Sequence, residues 1–248
     1  MSQVTFDYSG CNFVITGASS GMGKQIAMEL AAAGAKVLAI ARGKTALEAL
    51  KALYPENIEI GIADVCDAET LSNVITRFVA KYGKINGAVH AAGITALTPL
   101  KAFDTAEAHK IMDISFWGAV NLIQICTKVK ISNKGASFLL FSSVRSHRTD
   151  KGLFSYAGAK AAMQIAAKTF AKETANRQIR INTISPGWVN TSMTDGLEET
   201  HNLDEVNQNS LLGIGNPEDV SGMVLFLLSD RAKWITGTDV IVDGGYLA

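Results

Sequence analysis

The 248-residue sequence predicts an α/β protein: a single doubly wound parallel sheet of about seven strands, with helices on both faces. Three observations lead there. Short apolar runs alternate with longer segments of helical composition, which requires parallel crossovers. The runs are apolar nearly throughout, as in strands buried on both sides. A glycine-rich turn joins the first run to the first helical segment, and in such sheets that junction borders the ligand crevice.

Asn12–Thr16 reads as the first strand. Residues 21–33 have helical composition, and Gly34 stands where a C-terminal cap belongs. Residues 36–40 form the second strand, 45–53 the second helix and Ile58–Ile62 the third strand. Ala68–Tyr82 is a helix stopped by Gly83. A short strand at 87–90 precedes one long helix over 106–128. Residues 137–141 are an almost wholly apolar strand, 156–174 an Ala-rich helix and 179–184 another strand. Pro217–Leu228 is a helix with proline in its first turn, and Asp239–Val242 is the last strand. No linker or repeat interrupts the series, so residues 1–248 are expected to form one dinucleotide-binding and catalytic domain. The polar, aperiodic stretch 190–216 reads as a substrate lid.

Composition excludes several functions. Lys plus Arg and Asp plus Glu are each 23, so the formal net charge is zero. No basic footprint for nucleic acid or anionic membrane is present. The longest apolar run near the C-terminus, residues 223–228, falls far short of the ~20 residues of a membrane span. Residues 1–7 lack the pattern of a signal peptide. Cys11, Cys66 and Cys126 are far apart and read as buried small apolar residues. His90, His109, His147 and His201 show no metal-ligand spacing. A reduced, cytoplasmic protein without a metal is expected.

The turn Thr16-Gly17-Ala18-Ser19-Ser20-Gly21-Met22-Gly23 follows the first strand and opens the first helix. Its glycines let backbone approach a ligand closely, and the helix N-terminus offers N–H groups and a positive dipole end to phosphate. A Rossmann-type dinucleotide site is therefore expected, with Gly17, Ser19, Ser20, Gly21, Met22 and Gly23 in contact. An acid about 20 residues beyond such glycines commonly binds the adenosine ribose. Here the second strand ends Ala39-Ile40-Ala41-Arg42, with Lys44 next and no acid before Glu48. A carboxylate repels a 2′-phosphate and a guanidinium grips it, so NADP is expected, with NAD as the alternative. Asp64 and Val65, after the third strand, are candidates to meet the adenine.

Tyr156 and Lys160 are four apart on a helix, hence on one face. A tyrosine with its pKa near 10 needs help to act at neutral pH, and a nearby ammonium supplies it. Ser143 follows the apolar strand 137–141, at the end where ligands bind in open sheets. Its hydroxyl is suited to donate to a carbonyl oxygen.

Together these pieces resemble the classical short-chain dehydrogenase/reductase family over almost the whole chain. The likeness rests on Thr16 to Gly23, Asp64-Val65, Ala91-Ala92-Gly93, Ser143, Tyr156, Lys160, Pro186-Gly187 with Thr191, Ile235-Thr236-Gly237 and Val242-Asp243-Gly244-Gly245. The resemblance implies that Tyr156 exchanges a proton with the substrate oxygen. Lys160 would lower the tyrosine pKa and hold the nicotinamide ribose, and Ser143 would polarise the carbonyl. Ala91, Ala92, Gly93, Pro186, Gly187, Val189 and Thr191 would line the cofactor, Thr191 at its carboxamide or phosphates and Val189 through its backbone. A homodimer or homotetramer is implied, with the Asp243-Gly244-Gly245 region near a subunit contact.

Two positions depart from the family pattern. His90 stands where an Asn is usual; it reads as a satisfied core histidine, with a hydrogen-bonding buttress in place of that Asn as the alternative. Ser115 stands where an Asn would anchor a proton relay to Lys160, and it is kept as a candidate catalytic residue. The leading function is interconversion of a small ketone and a secondary alcohol. Reduction of a 3-oxoacyl group on acyl carrier protein is the alternative, with Arg145, Arg148 and Lys151 as a candidate docking surface. A non-catalytic nucleotide-binding regulator is the third reading.

Overall fold

A computed structural model of the chain describes residues 4–192 and 209–248. Its strands are β1 Asn12–Thr16, β2 Lys36–Ala41, β3 Ile58–Ile62, β4 Ile85–His90, β5 Ser132–Phe141, β6 Arg180–Pro186 and β7 Asp239–Val242. They form one seven-stranded sheet in the order β3-β2-β1-β4-β5-β6-β7, and every pair is parallel. Along β1, Phe13 and Ile15 enter one core and Val14 the other. Val37 and Ala39 of β2 part from Leu38 and Ile40 in the same way. Burial on both faces is why these strands read as continuous apolar runs.

The helices are α1 Gly21–Ala32, α2 Lys44–Leu53, α3 Ala68–Tyr82, α4 Thr105–Met112, α5 Gly118–Cys126, α6 Phe154–Thr174 and α7 Pro217–Leu228. One core joins α1, α2 and α7 to the sheet through Ile26, Leu30, Leu47, Leu50, Val220 and Val224. The opposite core uses Leu71 and Ile75 of α3, Leu122 of α5, and Met163 and Ala167 of α6. Asp67 and Asp104 cap α3 and α4 by accepting first-turn N–H groups. The start of α1, like those of α2 and α6, has no side-chain cap and no acid in its first turn. Strand order reverses between β1 and β4, which opens a crevice at their C-terminal ends.

Four expectations are corrected. The single helix over 106–128 is instead α4, a π turn at Asp113–Trp117, and α5, which ends at Cys126. Propensity does not mark a π turn; here the wider turn lets Gly118 pack where a Cβ would come within 2.6 Å of Val65 Cγ2. Strand β5 starts at Ser132 rather than 137, because Ile85 pairs with Ser132 before the register shifts to Gly87 opposite Ser137. Of the cysteines only Cys126 is buried; Cys11 is intermediate and Cys66 exposed. Cys66 lies in the tight turn after β3, where its N–H donates to Asp64 Oδ1 at 2.9 Å, and that turn faces outward. Arg145, expected on an exposed basic surface, is buried. The proposed lid over 190–216 falls largely outside the described residues. Its flanks are tied together, with Val189 bridged to Gly215 and Asn190 N–H donating to Gly215 O at 2.8 Å.

Candidate active site

A cleft of about 360 Å³ opens over the ends of β1 and β4. Its floor is the glycine turn. Gly17 has φ +71°, and a Cβ there would lie 2.6 Å from Ala92 N. A Cβ on Gly23 would lie 2.4 Å from Gly17 O. Only bare α-carbons allow the turn to press against Ala91-Ala92-Gly93 and still present its N–H groups. The uncapped, acid-free start of α1 opens into this cleft, where its N–H groups suit an anion. Ser19, Ser20, Gly21 and Met22 line the cleft as expected. So do Arg42 from the end of β2, Asp64 and Val65 from the end of β3, and Ala91 to Gly93 after β4. Thr191 leans over the helix start, since a Cβ on Gly21 would sit 3.3 Å from its Cγ2. These residues fit a dinucleotide with phosphates on α1 and its adenosine end toward β2 and β3.

Arg42 is exposed at the rim, with no carboxylate before it on β2. Asp64 is engaged in its own turn through the Cys66 N–H. Sequence reasoning omitted Ile40, Ala41, Gly43, Ala63, Ile94, Ile114 and Ser192, which also line this cleft. Most of them flank named motif residues, so adjacency was the available signal; Ile114 arrives only through the π turn.

A second, more apolar cleft adjoins the first and shares Met22 and Thr191 with it. Ser143, Tyr156, Pro186, Gly187 and Val189 line it. Ser143 is extended at the end of β5, and its Oγ accepts from Arg145 N–H at 3.2 Å. Gly187 is pressed against Asp243, where a Cβ would meet Asp243 Cα at 2.7 Å. The Asp243-Gly244-Gly245 turn therefore braces the cleft within its own chain. Sequence reasoning missed Thr95, Ala96, Leu97, Ser142, Val144, Leu153 and Trp188 here, and it placed Arg145 on the surface. Nothing in local pattern marks them, because they come from loops after three different strands.

Burial pushes the Tyr156 phenol above its ordinary pKa, while the Ser143 hydroxyl and the Arg145 charge pull it back. Lys160 Nζ lies 5.5 Å from the Tyr156 ring centroid and donates to Phe141 O at 2.6 Å. Burial lowers the Lys160 ammonium to about 8. Lys160 lines neither cleft wall; it lies just behind Gly93, where a Cβ would come 3.4 Å from Nζ. The same point lies 3.6 Å from Ser115 Oγ. Gly93, Lys160 and Ser115 thus converge. Ser115 sits in the π turn, fully buried, and its hydroxyl has no hydrogen-bond partner among the described residues. Buried hydroxyls are normally paired, and π turns gather at functional sites.

His90 is fully buried. Its Nε2 lies 3.2 Å from Ile114 O, and its Nδ1 lies 3.0 Å from Thr16 Oγ1. The carbonyl only accepts, so Nε2 carries the proton and the Thr16 hydroxyl donates to Nδ1. Burial first, and the Lys160 charge second, push its pKa down to about 3. His90 is a neutral strut between β1, β4 and the π turn, as a core histidine was expected to be.

Comparison with known proteins agrees with this geometry. A family model described as enoyl-(acyl carrier protein) reductase matches residues 17–247. The 3-oxoacyl-(acyl carrier protein) reductase FabG of Thermotoga maritima is 32% identical over 238 residues, covering 94% of this chain and 96% of that protein. Its namesake in Escherichia coli K12 is 28% identical, covering 96% and 98%. A short-chain dehydrogenase/reductase from Brucella melitensis, titled glucose/ribitol dehydrogenase, superposes with TM-score 0.93 at 27% identity, covering 98% and 99%. A short-chain type dehydrogenase/reductase from Mycobacterium marinum gives TM-score 0.90 at 29% identity, covering 97% of each chain. With the sheet order, the glycine cradle and the Ser143–Tyr156–Lys160 cluster, these matches establish that the chain belongs to the short-chain dehydrogenase/reductase family of oxidoreductases.

Proposed function

We propose that the protein interconverts a small ketone and a secondary alcohol with NADP, and that Ser143, Tyr156 and Lys160 are its reactive side chains. The observation that carries this reading is the continuity of the two clefts through Met22 and Thr191. A dinucleotide on α1 then ends against the apolar cleft lined by Ser143 and Tyr156. Bound NADPH supplies the hydride. Ser143 and Tyr156 donate hydrogen bonds to the carbonyl oxygen and fix the carbonyl carbon in reach. As negative charge grows on that oxygen, Tyr156 gives up its phenolic proton. The resulting phenolate is stabilised by the Ser143 hydroxyl and the Arg145 charge, whereas the expected lowering of the tyrosine pKa by Lys160 is not among the influences on it. Lys160, whose Nζ lies 5.5 Å from the Tyr156 ring centroid, restores the proton. NADPH oxidation measured over ketones, quinones and acyl thioesters tests the reading; no oxidation with any carbonyl overturns it.

Arg42 supports NADP over NAD. The dissociation constants of NADPH and NADH are expected to differ by at least about tenfold, or ~1.4 kcal/mol. Arg42→Ala is expected to weaken NADPH far more than NADH in fluorescence titrations. Equal affinities in the wild type overturn the assignment.

Lys160 gives the binding step a pH dependence. Its ammonium is present below about 8 and lost above it, and a polyanionic cofactor binds the charged form better. NADPH affinity is therefore expected to fall as pH rises through about 8, by at most about tenfold per unit. Lys160→Met should bind more weakly at pH 7 and show no inflection near 8. A wild-type affinity that stays flat from pH 7 to 9 contradicts this.

A second reading, reduction of a 3-oxoacyl group on acyl carrier protein, draws on the names of the relatives and on Arg148 and Lys151. Both cations are exposed on the loop between Ser143 and Tyr156. A large gain in kcat/KM for the carrier-bound thioester over the free thioester, lost on reversing those charges, supports it. We also expect a homodimer or homotetramer. Exposed Trp117, Ile165 and the paired rings of Phe103 and Phe154 supply apolar surface for it, and sedimentation velocity tests it.

A further inference from the structure

Arg145 is only 7% exposed. It is the one charged side chain among the described residues that line the cleft of Ser143 and Tyr156. Leu97, Val144, Leu153 and Trp188 make its surroundings apolar. Burying a cation in such a wall is costly unless it is partnered. The guanidinium stands 5.2 Å from the Trp188 ring centroid and 5.4 Å from that of Tyr246. Its Nη1 donates to Tyr246 Oη at 3.0 Å and pairs with Asp150.

These contacts use one nitrogen. Nε and Nη2 have no hydrogen bond among the described residues. The Nε–Nη2 edge is a complete two-donor fork of the kind that grips a carboxylate side-on. Asp150 does not remove the positive character of this wall. Its side chain is 44% exposed, so solvent screens it more than it screens the buried guanidinium, and no carboxylate lines this cleft among the described residues. If Arg145 served only to hold Tyr246, a neutral donor would suffice without the cost of a buried charge.

We infer that the substrate is a ketone bearing a carboxylate, gripped by the Nε–Nη2 edge of Arg145 while Ser143 and Tyr156 hold its carbonyl oxygen. The inference rests on the carbonyl-reducing reading above. The reaction balances as a two-electron reduction. NADPH becomes NADP⁺, the carbonyl carbon gains the hydride, the oxygen gains the Tyr156 proton, and the carboxylate is unchanged.

The test is NADPH oxidation with methyl ketones carrying a terminal carboxylate at increasing chain length, each paired with its primary amide. At the best length, kcat/KM for the acid should exceed that for the amide by at least about tenfold, the low end for a charge-assisted hydrogen bond. Arg145→Met should bring that ratio to about one and leave NADPH affinity intact; Arg145→Lys, which keeps the charge but not the fork, should fall between. Loss of Arg145 also removes charge near Tyr156 and slows both members of a pair, so the ratio isolates recognition. Amides reduced as well as acids, or a ratio unchanged in both variants, overturns the carboxylate and leaves carbonyl reduction standing. Should no pair be turned over, calorimetry of levulinate against its amide on the NADP⁺-bound protein decides. Tighter binding of the acid that Arg145→Lys weakens supports the fork, and equal binding overturns it.

Discussion

Tyr156→Phe is expected to fold, to bind NADPH with wild-type affinity, and to lose turnover by at least about 100-fold, the lower end for general acid–base catalysis. The substitution keeps the buried ring and removes only the hydroxyl. Because burial holds the phenol above its ordinary pKa, the group stays protonated at neutral pH and is ready to act as the acid in reduction. The reverse reaction needs the phenolate, so alcohol oxidation should speed up as pH rises while ketone reduction does not. Initial rates in both directions, beside a fluorescence titration of NADPH, check this. Near-wild-type turnover with intact binding would remove Tyr156 from the mechanism.

Gly17→Ala is expected to lower the melting temperature by on the order of 10 °C and to weaken NADPH by at least about 100-fold. Two costs add. A side chain at φ +71° is strained by roughly 1–2 kcal/mol. Its Cβ would also lie 2.6 Å from Ala92 N and 2.7 Å from Ala91 C, both backbone atoms, and such overpacking costs about 1–3 kcal/mol. For a chain of this size each kcal/mol is worth ~2–4 °C. The lost affinity follows because relief of the clash must move the turn away from Ala91-Ala92-Gly93, and the N–H groups of α1 move with it. Differential scanning fluorimetry with and without NADPH separates the two effects. A stable variant that binds normally would show that close approach at Gly17 is not what shapes the cradle.

Arg145 joins recognition and catalysis in one side chain. It faces the substrate cleft, favours the Tyr156 phenolate and ties the C-terminal Tyr246 to the loop after Ser143.

The sequence by itself determined the α/β class, the seven strands, the glycine turn, and the placing of Tyr156 and Lys160 one helical turn apart on the helix that follows Ser143. These are local properties. A doubly buried strand must be apolar along its length, a tight turn against backbone must be glycine, and residues four apart on a helix must share a face. Tertiary structure alone decided the rest. The helix expected over 106–128 breaks into a π turn because Gly118 must fit against Val65 and His90, elements remote in sequence. Arg145 reads as one loop cation among three; it is buried because Trp188 and Tyr246 arrive from the ends of β6 and β7 to enclose it. Nothing local distinguishes a solvated cation from a sequestered one, since burial is set by which distant segments pack above it. The environments of Tyr156 and Lys160 have the same origin: spacing put them side by side, and desolvation by the surrounding loops set their proton affinities.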